Sequence, residues 1–153
     1  MRFAHTNIIS KNWRDLVAFY VDTFECRVVP PVRNQSGEWL DKGTGLQNAH
    51  LEGAHLLLPG YGEKGPTLEI YQYTRIEEQE PIAPNHRGFG HIAFEVASVE
   101  LILKKLEQHG GSRQGEVTKR IIAGVGEITF VYARDPEGNL IELQSWQYEE
   151  AAE

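Results

Sequence analysis

The sequence has little of what several large classes of protein require. Its 153 residues include a single cysteine, Cys26, so an intramolecular disulfide is excluded. It has no apolar run of about 18 residues that would indicate a membrane span. It also has no cluster of basic residues, and its formal charge of −7 argues against a nucleic-acid surface. We therefore expect one compact unit that acts on a small molecule and binds neither nucleic acid nor membrane.

The lone cysteine and the N-terminal residues also predict a compartment. No charged leader followed by an apolar segment precedes the first strand-like run, and a single cysteine is typical of a reducing environment. We expect a cytoplasmic protein in which Cys26 packs as a small buried hydrophobic residue.

What the sequence does contain is a repeated order of elements. In each half, a strand-like segment with one histidine precedes an amphipathic helix and further strands, and the last strand carries one glutamate between aliphatic residues. The histidines are His5 and His91, and the glutamates are Glu69 and Glu142. This order predicts two β-α-β-β-β modules, at residues 1–74 and 88–148, with a linker at 75–87 and a frayed tail at 149–153.

Capping and turn residues predict several bounds within the modules. Asn12 and Ser98 are typical helix caps, and the glycine-rich segment 34–45 is predicted to be a surface loop in which Trp39 could form a lid. Gly53 is expected to bend or bulge the strand that contains it. The further expected bounds are a strand at 27–32, a strand at 88–96, and a type I turn at 135–138.

Alternation along the four marked strands separates two kinds of face. One face is aliphatic and suits packing against the helices, whereas the other carries the histidines and glutamates together with aromatic and amide side chains. Two further histidines, His50 and His55, lie near the central strands of the first half, where they could support a ligand or contact a substrate. The predicted substrate-lining residues are Asn7, His50, Tyr71, Tyr73, Gln144 and Trp146.

A metal site explains the four marked residues better than chance does. A single strand histidine is usually structural, and a single glutamate between aliphatic residues often faces solvent. Two such carboxylates left unpaired beneath a covered sheet would each cost several kcal/mol, a cost that a divalent cation removes while neutral imidazoles act as donors. The matched set of His5, Glu69, His91 and Glu142 therefore predicts one divalent metal ion.

The element order, the paired histidines and the ending Asp135–Leu143 resemble the vicinal oxygen chelate superfamily of glyoxalase I, bleomycin resistance proteins and extradiol dioxygenases. The resemblance implies an α+β fold in which two βαβββ modules form a curved mixed sheet that cups the metal. By this resemblance the ligands are His5, Glu69, His91 and Glu142. The ion would be Ni, Zn, Co or Mn, or Fe(II) in a dioxygenase, and the protein would be a homodimer.

The resemblance also implies an activity, that of a glyoxalase-like lyase or isomerase related to lactoylglutathione lyase. Four ligands leave two adjacent positions of an octahedral ion for two substrate oxygens, and proton transfer would pass through an enediolate. Glu142 is the expected base and Glu69 the second candidate. Ile9 and Tyr73 replace an arginine and an asparagine of bacterial glyoxalase I, so a glutathione substrate is not implied.

Three alternatives remain open. An Fe(II) extradiol dioxygenase would use only His5, His91 and Glu142 as its facial triad. A methylmalonyl-CoA-epimerase-like enzyme usually has glutamine where this chain has Glu69. A non-catalytic resistance protein that sequesters a small molecule would not need the full ligand set.

Overall fold

The computed structural model describes residues 1–149, and the chain divides into two compact units, residues 1–79 and the part from Glu80 onward. The division falls inside the segment 75–87 that the sequence predicts as a linker. Of the predicted tail 149–153, only Glu149 lies within the described residues. Within this described part of the chain, no helix is long and apolar enough to cross a membrane.

The first unit has the predicted order of strand, helix and three strands, with one short helix added. Its elements are β1 (His5–Ile9), α1 (Trp13–Phe24), β2 (Arg27–Ser36), α2 (Glu38–Thr44), β3 (His50–Leu57) and β4 (Thr67–Tyr73). The strands form one mixed sheet in the order β1-β4-β3-β2, in which β1 and β4 are parallel and the other pairs antiparallel. The parallel pair makes the His5 strand and the Glu69 strand direct neighbours.

Helix α1 covers the aliphatic face of this sheet. The Asn12 side chain accepts a hydrogen bond from the backbone N–H of Asp15, which satisfies a donor of the first turn. The helix ends at Glu25, whose φ of 60° is left-handed. Its buried residues include Leu16 and Tyr20, and the helix contacts β3 and β4. Each large apolar side chain buried in this way contributes about 1.5–3 kcal/mol.

The second unit repeats the arrangement with one additional short strand, β6 (Ser112–Arg113), between the helix and the last three strands. Its elements are β5 (Ile92–Glu95), α3 (Val99–Gln108), β6 (Ser112–Arg113), β7 (Thr118–Ile122), β8 (Gly126–Arg134) and β9 (Leu140–Tyr148). The sheet order is β5-β9-β8-β6, with β7 also paired to β8, and β5 runs parallel to β9. Ser98 caps α3 by accepting from the Leu101 backbone N–H, as its position predicts. The predicted α+β class is therefore confirmed, with mixed sheets of four and five strands.

The predicted turn between β8 and β9 is also confirmed. The backbone N–H of Gly138 donates to the Asp135 carbonyl at 3.0 Å, which closes the four-residue turn. Asp135 is buried, and its Oδ1 accepts from the backbone N–H groups of Glu137 and Asn139. This turn sets the register that brings Glu142 of β9 opposite Tyr132 of β8.

The predicted loop at 34–45 is wrong. Strand β2 continues to Ser36, and residues Glu38–Thr44 form α2, in which Trp39 is exposed and donates from Nε1 to the Ser36 carbonyl at 3.0 Å. Leu40 of α2 is buried against Leu51 and the rings of Tyr71 and Tyr73. This packing stabilises a helix that its glycine-rich sequence does not favour.

Two strand predictions also need correction. Gly53 does not divide its strand, because β3 is continuous from His50 to Leu57. The strand expected at 88–96 begins only at Ile92, so His91 directly precedes β5 instead of lying within it. Both errors come from local composition, whereas pairing with neighbouring strands decides where a strand begins and ends.

Candidate metal centre

The first module brings His5 and Glu69 into contact. The parallel register of β1 and β4 pairs Asn7 with Glu69, and His5 lies two residues before Asn7 on the same face. His5 Nδ1 is 3.3 Å from Glu69 Oε1. Glu69 is 7% exposed, which makes it one of the few buried charged residues. A carboxylate in such a place requires partners that compensate for its lost hydration.

A second imidazole reaches the same carboxylate oxygen. In the antiparallel pair β3–β4, His55 stands directly opposite Glu69, and its Nε2 is 3.1 Å from Glu69 Oε1. The same Nε2 is 2.6 Å from the hydroxyl oxygen of Tyr71. Burial lowers the pKa of His55, and the Glu69 carboxylate opposes that effect. Burial, with a smaller contribution from Glu69, raises the pKa of Tyr71 to about 12, so its hydroxyl stays protonated near pH 7.

The second module repeats the first contact but not the second. His91 Nε2 is 3.0 Å from Glu142 Oε2, with His91 at the start and Glu142 at the end of the module. The residue opposite Glu142 on β8 is Tyr132, whose ring lies 4.9 Å from the His91 ring. Burial, together with Glu142, raises the pKa of Tyr132. Each module therefore contains one predicted histidine in contact with one predicted glutamate.

The other predicted residues of the first module lie in different surroundings. Asn7 donates from Nδ2 to the backbone carbonyl of Glu69 at 3.4 Å, and Tyr73 is half-buried beside Leu40 of α2. His50 is five residues from His55 in a continuous strand, so the two point to opposite faces. Its ring nitrogens lie 2.9 Å from Thr74 Oγ1 and 2.8 Å from Asn34 Oδ1. This places His50 away from the face of Glu69, and we do not retain it as a substrate-lining residue.

The predicted residues of the second module follow Glu142 along β9 on the same face. Trp146 donates from Nε1 to Gln144 Oε1 at 3.2 Å. The Trp146 ring stacks on Tyr148, with centroids 5.7 Å apart and planes 11° apart. The Tyr148 hydroxyl in turn contacts the Glu95 carboxylate. Gln144 and Trp146 thus form an amide and aromatic surface next to Glu142.

The donor chemistry of the two pairs suits a divalent cation. Imidazole nitrogen and carboxylate oxygen together are ligands for zinc, nickel, cobalt, manganese and iron. Among residues 1–149, no lysine or arginine forms an ion pair with Glu69 or Glu142, and the groups within ion-pair distance of these carboxylates are imidazoles. Within the same residues, no group of three or more His, Cys, Asp or Glu side chains has an arrangement that would hold a metal ion. Each module by itself therefore offers a pair of donors, and the three groups His5, His55 and Glu69 do not form a metal site on their own.

Comparison with protein families gives a match over nearly the whole chain. The model of the family described as the Glyoxalase/Bleomycin resistance protein/Dioxygenase superfamily matches residues 2–143, which include both histidines and both glutamates. No curated protein matches the chain in sequence.

Solved structures share the fold at low sequence identity. A glyoxalase family protein from Bacillus cereus superposes with a TM-score of 0.76 at 21% identity, over 95% of this chain and 93% of that protein. The trypanothione-dependent glyoxalase I of Leishmania major gives a TM-score of 0.62 at 21% identity, over 95% and 86% of the two chains. A glyoxalase, bleomycin resistance protein and dioxygenase domain from Frankia gives 0.60 at 14% identity, over 96% and 98%.

Proposed function

The chain belongs to the Glyoxalase/Bleomycin resistance protein/Dioxygenase superfamily, and on that premise we propose that it is a divalent-metal-dependent lyase or isomerase acting next to a carbonyl group. The observation that carries the proposal is the matched pair of contacts, His5 with Glu69 and His91 with Glu142. In this proposal the two pairs bind one ion together. The similarity to a glyoxalase I fold supports the same reaction class.

The electrostatics of the two carboxylates support a cation in this role. The side chains of Glu69 and Glu142 are 9% and 15% exposed, and the groups that lie within ion-pair distance of them are imidazoles. An imidazole that binds a metal does so in its neutral form and brings no charge, whereas a divalent ion offsets the negative charges of two partly buried carboxylates. Nickel, cobalt, zinc and manganese all accept this mixture of nitrogen and oxygen donors.

Proton transfer is assigned to Glu142. The ion would polarise a substrate carbonyl and so lower the pKa of the adjacent C–H group. Glu142 is the more exposed of the two glutamates and contacts one imidazole, whereas Glu69 contacts two. A carboxylate with fewer fixed partners is better able to approach a substrate proton, and general bases of this kind contribute about 10²–10⁴-fold to rates.

The remaining residues of this face favour a substrate with an apolar or aromatic portion. Ile9 is 44% exposed on the same face of β1 as His5, so no charge at this position would meet a substrate carboxylate. Tyr73 beside Leu40, and Trp146 beside Gln144, add flat apolar surface with a few hydrogen-bonding groups. We therefore propose a small α-oxygenated carbonyl compound with an apolar substituent as the substrate.

Deuterium exchange tests this function even when the final product is unidentified. Apo protein would be loaded with Ni²⁺, Co²⁺, Zn²⁺ or Mn²⁺ and incubated in D₂O with a panel of aromatic and aliphatic α-hydroxy ketones, thiohemiacetals of 2-oxoaldehydes, and thioesters. The expected result is metal-dependent replacement of the hydrogen next to the carbonyl by deuterium, which NMR would detect. Oxygen consumption with catechols under Fe²⁺, without such exchange, would contradict the proposal and favour a ring-cleaving dioxygenase.

A further inference from the structure

The two modules differ at the residue that faces the glutamate. On the neighbouring antiparallel strand, the residue paired with the glutamate is His55 in the first module and Tyr132 in the second. His55 contacts Glu69 Oε1 at 3.1 Å, so Glu69 has two imidazole partners. Tyr132 instead contacts the ring of His91. The duplicated modules therefore support their glutamates in different ways.

His55 is itself held by Tyr71. The Tyr71 hydroxyl lies 2.6 Å from His55 Nε2, and their ring centroids are 5.8 Å apart. The Tyr71 ring also packs against the buried cluster of Leu40, Ala49 and Leu51, which fixes its position. Because a carboxylate only accepts hydrogen bonds, a hydrogen bond to Glu69 requires the tautomer with hydrogen on Nε2, and the Tyr71 hydroxyl oxygen lies within reach of the same N–H group.

Gly53 makes room for this arrangement. Gly53 stands opposite Tyr71 in the β3–β4 pair. A Cβ atom at this position would lie 2.5 Å from Tyr71 Cδ1 and would overlap the Ile70 carbonyl oxygen. The Tyr71 ring thus lies over the bare backbone of Gly53. Cross-strand pairing gives Phe130 and Gln144 as the equivalent residues of the second module, so neither the glycine nor the tyrosine is repeated there.

We propose that His55 is a positioning residue that holds Glu69 in place through Oε1, with the Tyr71 hydroxyl holding the imidazole at the same nitrogen, Nε2. This inference rests on the proposed function, in which Glu69 is a metal ligand. Its consequence is a division of labour: Glu69 is the fixed ligand, whereas Glu142, which lacks an equivalent partner at position 132, is the carboxylate free to move a proton. In this inference His55 contacts Glu69 and is not itself a metal ligand.

Metal affinity of His55 variants tests the inference. Apo wild-type protein and variants would be titrated with Co²⁺ and Zn²⁺ against a chromophoric chelator, and the Co²⁺ absorption spectrum recorded. His55→Leu removes the hydrogen bond, and we expect about 10–100-fold weaker binding, the range for loss of an outer partner of a metal ligand. His55→Gln can return an N–H to the position of Nε2 and should restore affinity to within a few-fold of wild type.

The chain offers a matched control and a second variant. His50→Leu changes the other histidine of β3, which faces away from Glu69, and should leave the affinity and the spectrum unchanged. If His55→Leu does not fold, Tyr71→Phe keeps the ring and removes only the 2.6 Å contact, and it should weaken binding several-fold.

The outcomes separate this inference from the proposed function. Weakened binding by His55→Leu or Tyr71→Phe, with recovery in His55→Gln, supports it. Wild-type affinity and spectrum in His55→Leu, or in Tyr71→Phe if His55→Leu does not fold, overturn the inference while leaving the metal-dependent function intact. A wild-type protein that binds none of these ions overturns both.

Discussion

The two modules share a histidine–glutamate contact and differ in what surrounds it. In the first, Glu69 is in contact with His5 and His55, and Tyr71 holds His55 in turn. In the second, Glu142 contacts one histidine, His91, and Tyr132 occupies the position that corresponds to His55. The Tyr132 ring lies beside the His91 ring. The two modules thus share the histidine–glutamate contact and differ in the residues around it.

This difference teaches that ligand identity and ligand mobility are set by different residues. In the proposed function, the strand positions of the histidines and glutamates set which donors would face the ion. The cross-strand neighbour sets how tightly each glutamate is held. An imidazole at hydrogen-bond distance restrains a carboxylate, whereas the Tyr132 phenol packs at a tilt against the His91 ring instead. In the proposed function, the first module therefore anchors the ion and the second supplies the reactive carboxylate.

The largest expected effect comes from changing the two glutamates separately. Glu142→Gln should lower kcat by about 10²–10⁴-fold, the usual contribution of a general base, and should weaken metal binding less than Glu69→Gln does, because Glu142 is the less firmly held of the two carboxylates. Glu69→Gln should instead weaken metal binding by more than the roughly 10–100-fold expected when only a supporting partner is lost. Metal content and kcat, measured on the same preparations, distinguish the two effects.

Equal behaviour of the two variants would break the comparison between modules. If Glu142→Gln kept full metal content and full turnover, Glu142 would not be the base. If Glu69→Gln kept metal and lost only turnover, the roles assigned to the two modules would be reversed.

A smaller effect is expected at the glycine beneath Tyr71. Gly53→Ala would place a methyl group against Tyr71 Cδ1 and the Ile70 carbonyl, and we expect the free energy of unfolding to fall by about 1–3 kcal/mol. Gly43→Ala in α2 is the matched control, because no heavy atom lies within 4 Å of the added Cβ. That change should be neutral or stabilise by up to about 1 kcal/mol. Urea unfolding measures both, and equal values for the two variants would show that Tyr71 does not depend on Gly53.

The smallest expected effect concerns Cys26, which reports on the first module alone. Burial raises the pKa of its thiol from 9.0 to about 12, so the folded protein keeps the thiol protonated where the unfolded chain ionises it. The unfolded state therefore binds fewer protons between these two pKa values, and stability falls as the pH rises through that window. We expect a thiol reagent to label Cys26 slowly at pH 8 and completely in denaturant. Fast labelling of the native protein would show that the first module opens more readily than its buried core implies.

Much of the site could be predicted from the sequence because strand parity is a local property. The alternation of apolar residues around Glu69 and Glu142 predicts that each lies on the face away from the helices, and the contacts of His5 and His91 agree with this. The helix caps at Asn12 and Ser98 and the turn at Asp135 are likewise encoded by a few adjacent residues.

The rest depends on contacts between segments distant in sequence. The sequence predicts the same possible role for His50 and His55. It does not show which of them lies on the face of Glu69, because a bend expected at Gly53 would break the alternation between them. In the structure β3 is continuous, so their odd spacing sends them to opposite faces. Helix α2 is missed for a similar reason, since its stability depends on Leu40 packing against Leu51 and the tyrosines of β4.

The central claim is that the two histidine–glutamate pairs serve one ion. Isothermal titration of the apo protein with Ni²⁺ tests it, in the wild type and in His5→Ala, His91→Ala and the control His50→Leu. We predict one ion per chain in the wild type and in the control, and strongly weakened binding in both His5→Ala and His91→Ala. Two ions per chain, or loss of binding in only one of these two variants, would contradict the claim.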